Sequence, residues 1–121
     1  LDRALAGRYG HVLVRGTLGR GATPAAVRAT RDHFVGTPIE TRAGILRGVV
    51  TMDLRDAGAK IGAPTTVVVG SRDSLTPPRH SKAMAATIPD ADLVVLRGKG
   101  HMLPFEAPDE LVDAITKHTT T

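Results

Sequence analysis

The apolar positions of the chain fall into two regimes that change over near residue 61. Up to that point they recur at helical spacing, interrupted by Gly and Pro. After a short opening segment, Gly16-Thr17-Leu18-Gly19-Arg20-Gly21 reads as a flexible loop. Thr23-Pro24 is a helix start, with Thr as acceptor for the first free amides and Pro at the first helical position. Ala26, Val27, Thr30, Phe34 and Val35 are available for one face of a helix over 24–35. Thr37-Pro38 repeats the start signal, and Ile39, Ala43, Leu46, Val49 and Val50 predict a second amphipathic helix ending near Met52. Residues 53–59 read as a short polar connection or helical turn.

Beyond the breaker Ile61-Gly62-Ala63-Pro64, the pattern is that of strands. Thr65-Thr66-Val67-Val68-Val69-Gly70 is a β-branched run without polar alternation, which predicts a strand buried on both faces. Gly70-Ser71-Arg72-Asp73-Ser74 is a turn-forming loop. Thr76-Pro77-Pro78 opens a helix to about Ile88 with Met84, Ala85 and Ile88 on its apolar side, and Pro89-Asp90 ends it. Asp92-Leu93-Val94-Val95-Leu96 predicts a second buried strand, followed by the loop Arg97-Gly98-Lys99-Gly100-His101. Ala107-Pro108-Asp109-Glu110 starts a last helix, with acids in the first turn where the helix dipole favours them. Leu111, Val112 and Ile115 are its expected buried side, and Thr119-Thr120-Thr121 reads as a frayed tail. This order describes a β-α-β-α unit with parallel strands and a right-handed crossover. Ligand sites of open α/β sheets lie beyond the carboxyl ends of the strands. Both loops belong there, one presenting Asp73 and the other His101.

Composition narrows the functions available. Leu, Ile, Val and Phe make 30 of the 121 residues, above the level of about 20% below which disorder is expected. The length suits a single domain. Aromatics are confined to Tyr9, Phe34 and Phe105, so the core must be aliphatic and stacking platforms for nucleic-acid bases are lacking. Cysteine is absent, which excludes disulfides, thiolate zinc sites and a cysteine nucleophile, and fits a reducing, cytoplasmic compartment. No apolar run approaches the roughly 18–20 residues of a membrane span. The start Leu1-Asp2-Arg3 has neither a signal-peptide core nor an initiator Met, and reads as a chain that begins partway through something.

The net charge of +4 invites a nucleic-acid reading until it is divided along the chain. Residues 1–60 carry ten Lys and Arg against five Asp and Glu, whereas residues 61–121 carry six against seven. The arginines of the first half are scattered at near-regular intervals, as on a solvated helical surface, so no nucleic-acid partner is expected. His11, His33, His80 and His118 lack partners at metal-ligand spacing, and no metal is expected. Gly98-Lys99-Gly100 lacks the other residues of a phosphate-binding loop. Lys99 reads as a solvated loop charge, and Ser74 as a turn or capping hydroxyl.

Asp73 and His101 carry the candidate chemistry. A carboxylate beside an imidazole can accept a hydrogen bond from one ring nitrogen, fix the tautomer and stabilise the imidazolium when the other nitrogen takes a proton. Taken singly, Asp73 also reads as a turn residue bonding its own backbone, and His101 as a satisfied loop histidine. Their surroundings add to the pair. The stretch Val67-Val68-Val69-Gly70-Ser71-Arg72-Asp73-Ser74-Leu75-Thr76-Pro77-Pro78 resembles the acid loop of the α/β-hydrolase family. Gly100-His101-Met102-Leu103-Pro104-Phe105-Glu106-Ala107-Pro108-Asp109-Glu110-Leu111 resembles its histidine loop. The resemblance covers residues 61–118, and the order acid then histidine matches the second and third triad members.

The resemblance implies a partial α/β-hydrolase fold. Residues 61–121 would be the C-terminal part of the core, and residues 1–60 part of the helical cap that precedes the acid-bearing strand. Arg42-Ala43-Gly44-Ile45-Leu46 and Met52-Asp53-Leu54-Arg55-Asp56 carry the likeness to a cap. It further implies Asp73 and His101 as catalytic residues, Leu46, Met52 and Met102 as substrate-binding residues, and no cofactor. The substrate class would be a small carboxylic ester or related acyl compound.

One departure is large. The chain has no Gly-x-Ser-x-Gly, and its only serines are Ser71, Ser74 and Ser81. The nucleophile and the oxyanion-hole amides belong to family segments that would precede Leu1. The chain is therefore expected to be a C-terminal fragment, inactive alone because base and orienter without an oxyanion hole omit the largest electrostatic contribution. The alternative is a non-catalytic degenerate or split chain that acts only through association, either with a complementing polypeptide or with itself through the unpaired edge of the first strand.

Overall fold

The computed structural model describes residues 8–119. Residues 1–7 of the short opening segment, and Thr120 and Thr121 of the expected frayed tail, lie outside the described residues. Three helices come first: α1 (Arg8–Thr17), α2 (Pro24–Gly36) and α3 (Ile39–Thr51). A 3-10 helix (Arg55–Lys60) leads to β1 (Thr66–Gly70), α4 (Pro78–Thr87), β2 (Asp92–Leu96), α5 (Leu103–Glu106) and α6 (Pro108–Thr116). The strands form a parallel pair in the register Thr66↔Asp92 to Gly70↔Leu96. This is the β-α-β-α unit expected, with α5 as an added turn of helix.

Local chemistry explains the helix ends. The Thr23 hydroxyl accepts the Ala26 N–H at 3.1 Å, and Pro24 occupies the first helical position, where its missing N–H costs nothing. Thr37-Pro38 does not repeat this device. The Thr37 hydroxyl donates to His33 O at 3.0 Å and its N–H bonds Phe34 O, so Thr37 closes α2 and α3 begins without a side-chain cap. A hydroxyl that can reach back to a free carbonyl serves the end of one helix in place of the start of the next.

Burial is concentrated in two places. Val14, Leu18, Ala26 and Val27 form one cluster between α1 and α2, with Ala22 and Met102 packed against it. Val67, Val69, Ile88, Leu103 and Ala107 are the buried apolar residues of the strand-bearing second half. The sequence 16–21, expected to be a flexible loop, is instead the end of α1 and a packed turn, in which Leu18 and Gly19 are buried. Gly19 serves a close approach, since a Cβ there would lie 2.1 Å from Gly98 O.

Several expected burials do not occur, and one reason covers them. A parallel strand is enclosed on both faces only where helices cover both. Here α4 packs on both strands and α6 on β1. β1 alternates between half-buried and buried positions, but β2 is largely open, with Val94 38% and Val95 42% exposed. On α6, Val112 and Ile115 are exposed, as are Met84 on α4 and Phe34 on α2. None of the expected apolar side of α3 is buried. The helix has the predicted stripe without a facing surface, and the Arg42 guanidinium, 4.8 Å from the Phe34 ring centroid, links it to α2.

The uneven packing predicts uneven mutational cost. Val27→Ala, at a site 2% exposed, should cost about 2 kcal/mol, from the lost apolar transfer and the cavity left. Val50→Ala, on the open face of α3, should stay within about 0.5 kcal/mol. Urea unfolding midpoints of the two variants check the contrast.

Candidate active site

The strand register sets the site. Because Gly70 pairs with Leu96, the loops after β1 and β2 leave the sheet side by side. Backbone bonds then join them: Ser71 N–H to Leu96 O at 2.9 Å and Arg72 N–H to Lys99 O at 2.8 Å. The Ser71 hydroxyl accepts the Gly98 N–H at 2.8 Å. Gly98 turns the second loop with φ +80°, a conformation that favours glycine. Gly70 is also required, since a Cβ there would lie 2.2 Å from Gly100 O.

This junction brings Asp73 and His101, 28 residues apart, into contact: His101 Nδ1 lies 2.9 Å from Asp73 Oδ2. The Asp73 side chain is 5% exposed and that of His101 33%. Asp73 is fully engaged. Its Oδ1 accepts the N–H groups of Leu75 at 2.9 Å and Thr76 at 2.8 Å, and its Oδ2 accepts the Thr76 hydroxyl at 2.8 Å. The His101 bond adds a fourth donor, filling the acceptor capacity of a carboxylate. A carboxylate so placed calls for a proton on Nδ1 and leaves Nε2 to accept one. The Thr76 hydroxyl oxygen, 3.2 Å from Nδ1, shares that proton. Burial raises the Asp73 carboxyl. The Thr76 backbone bond, the side-chain bonds from His101 and Thr76, and the nearby imidazole charge together outweigh burial and hold it below its ordinary value of 3.8.

Of the residues singled out in the sequence, the structure brings together Asp73 and His101, while Met102 packs against the α1–α2 cluster. Leu46 and Met52 stand apart on α3 and just beyond it, 63% and 57% exposed. Lys99 is not a free loop charge. Its Nζ bonds Glu106 O and lies 3.8 Å from Glu110 Oε1. Two residues were missed. Thr76, read as a helix opener, gives its hydroxyl and amide to Asp73 instead of capping α4. Glu106 was passed over in the histidine loop, yet it is buried and bonded to three backbone amides. Its signal was a single carboxylate between the apolar run Met102-Leu103-Pro104-Phe105 and Ala107.

A cavity of about 550 Å³ lies elsewhere, lined by residues 59–65 with Pro89, Asp90, Asp92, Lys117 and His118. It sits at the amino ends of the strands, roughly 16 Å of strand away from the pair. Among the described residues no group of three His, Asp or Glu is placed to hold a metal ion, and no helix is long and apolar enough to cross a membrane.

A family model described as alpha/beta hydrolase fold matches residues 2–108. The chain belongs to the α/β-hydrolase fold family. It is similar to the pimeloyl-(acyl-carrier protein) methyl ester esterase of Stenotrophomonas maltophilia, 29% identical over 123 residues, which cover 96% of this chain and 47% of that protein. It is also similar to the proline iminopeptidase PfmaB of Pestalotiopsis fici, 39% identical over 59 residues, 49% of this chain and 21% of that one. Among solved structures, a thermophilic esterase from Thermogutta terrifontis superposes with a TM-score of 0.80 and 27% identity, over 96% of this chain and 45% of its own. The chain thus spans less than half the length of these α/β-hydrolases. Its helices and two-stranded parallel sheet make up part of that fold.

The bonds to Asp73 predict a pH-dependent stability. A carboxyl held low in the folded state contributes stability above its ordinary value of 3.8 and loses it as pH falls through the folded value. Asp73→Asn should destabilise the chain by about 1–3 kcal/mol at pH 7. The gap to the unmodified chain should narrow below pH 4, as urea titrations at pH 7 and pH 3 would show.

Proposed function

We propose that this chain supplies the acid and the base of a serine hydrolase acting on carboxylic esters or related small acyl substrates. The observation that carries the reading is the 2.9 Å contact between His101 Nδ1 and buried Asp73 at the carboxyl ends of two parallel strands. A methyl ester esterase among the similar proteins supports the substrate class. In this reading residues 1–60 are part of a helical cap and residues 61–121 the C-terminal part of the core. The nucleophilic serine lies on a segment outside the 121 residues. Leu46, Met52 and Met102 contribute apolar surface on the acyl side, where the exposure of the first two leaves them available. No cofactor is required, and the cysteine-free chain suits the cytoplasm.

The chemistry follows from the pair. As the serine oxygen attacks the ester carbonyl, its proton passes to His101 Nε2, and Asp73 stabilises the imidazolium so formed. The imidazolium then protonates the departing alcohol oxygen as the carbon–oxygen bond breaks. Water, deprotonated by the same nitrogen, attacks the acyl-enzyme, and the proton returns to the serine as the acid leaves. With base and orienter alone, the 121-residue chain is expected not to turn over p-nitrophenyl butyrate. Extended by the coding sequence that precedes Leu1, it should do so, and His101→Ala should lower kcat by about a thousandfold or more. Esterase activity of the extended chain that survives His101→Ala would overturn the assignment.

A second reading rests on a separate observation. Among the described residues β1 pairs with β2 alone, and β2, α3 and α6 leave apolar side chains exposed. Unpaired strand edges and open apolar faces promote association. On this reading the chain acts through a complementing polypeptide or a second copy. Light scattering after size exclusion tests both readings: each predicts association or aggregation of the isolated chain, and a stable 12.7 kDa monomer counts against both.

A further inference from the structure

We propose that Glu106 is a positioning residue for His101, holding the imidazole in place through the backbone amides on either side of it. The inference rests on His101 being the base.

Glu106 is 9% exposed, and its carboxylate points back into the histidine loop. Oε2 accepts the N–H of Gly100 at 3.0 Å and that of Gly19 at 2.6 Å, and Oε1 accepts the N–H of Met102 at 3.2 Å. Gly100 and Met102 flank His101. The N–H of His101 itself donates to Thr17 O at 2.8 Å. Three consecutive amides of the loop therefore have fixed acceptors, two on Glu106 and one at the end of α1. One carboxylate thus ties the turn after α1 to the segment that carries the imidazole.

The arrangement depends on small residues around the carboxylate. A Cβ on Gly100 would fall 2.4 Å from Gly19 N, and one on Gly19 would fall 2.7 Å from Glu106 Oε2 as well as 2.1 Å from Gly98 O. The other end of Glu106 is anchored too, since Lys99 Nζ bonds its carbonyl oxygen. The choice of a carboxylate follows from the donor count. Three N–H groups converge on two oxygens, and only a side chain that is acceptor on both can serve them. A glutamine of the same shape must turn its NH₂ toward at least one N–H. Displacing either flanking amide moves the loop backbone, and with it the Nδ1 to Oδ2 contact of 2.9 Å on which the tautomer depends.

The test is the imidazole ¹⁵N–¹H spectrum, above pH 8, of the chain extended by the coding sequence that precedes Leu1, with backbone amide spectra as a control for the β1–β2 fold. The unmodified chain should show a downfield His101 Nδ1–H signal and ¹⁵N shifts of the Nδ1–H tautomer. Glu106→Gln should cut that signal at least twofold while the strand amides persist. Gly19→Ala, whose Cβ would crowd Glu106 Oε2 and Gly98 O, should do the same. Asp73→Asn separates the two claims. If it abolishes the signal and Glu106→Gln and Gly19→Ala leave it unchanged, the positioning role is overturned and the Asp73–His101 pair stands. If Asp73→Asn also leaves it unchanged, the pair itself is wrong. Loss of the strand amides in both Glu106→Gln and Gly19→Ala would make Glu106 a residue of fold stability and likewise overturn the proposal.

Discussion

The parallel pairing of β1 with β2, in a register that ends at Gly70 and Leu96, is the constraint on which the site depends. It places the exits of both strands at one edge of the sheet, where loops that are distant in sequence become neighbours. Close contact then requires the absence of side chains at Gly70 and Gly100, since a Cβ at either would strike the backbone of a neighbouring loop. Shifting the register by one residue would turn the strand side chains to the opposite face and separate the two loops. The Asp73–His101 contact is thus a consequence of backbone pairing, and the side-chain hydrogen bonds refine it.

A hierarchy of hydrogen bonds refines that contact. Thr76 supplies an amide to Asp73 Oδ1 and a hydroxyl to Oδ2, the oxygen that His101 also meets, so the pair does not depend on a single bond. Ser71 and Gly98 join the two loops. Glu106 and Thr17 satisfy the loop amides from below, where an unpaired buried N–H would cost about 1–3 kcal/mol. These bonds connect the helical first half of the chain to the sheet through the turn at Gly19.

What the sequence could show follows from the range of the interaction. Strand runs, helix periodicity and the Thr23-Pro24 start are local, and α2, α3, β1, α4, β2 and α6 appear within a residue or two of where the pattern put them, whereas α1 and α5 were not legible. The pairing of Asp73 with His101 was legible because each followed a buried-type strand run and both lay in long family-like motifs. The burial of faces was not legible. Val94, Val95, Val112, Ile115 and the stripe of α3 are patterned for contact, but pattern records only that a face is apolar and not whether a second surface meets it. Glu106 was missed for a related reason: its partners are backbone amides from Gly19 and the histidine loop, and amides carry no residue-type signature.

The most direct test of the central claim is a double-mutant cycle on Asp73 and His101 in the chain extended by the coding sequence that precedes Leu1. Asp73→Asn, His101→Gln and the double variant would be unfolded in urea at pH 7. Contact through the 2.9 Å bond predicts a coupling energy of about 1–2 kcal/mol between the two positions. Additive effects, with coupling indistinguishable from zero, would contradict the pairing and with it the assignment of His101 as an oriented base.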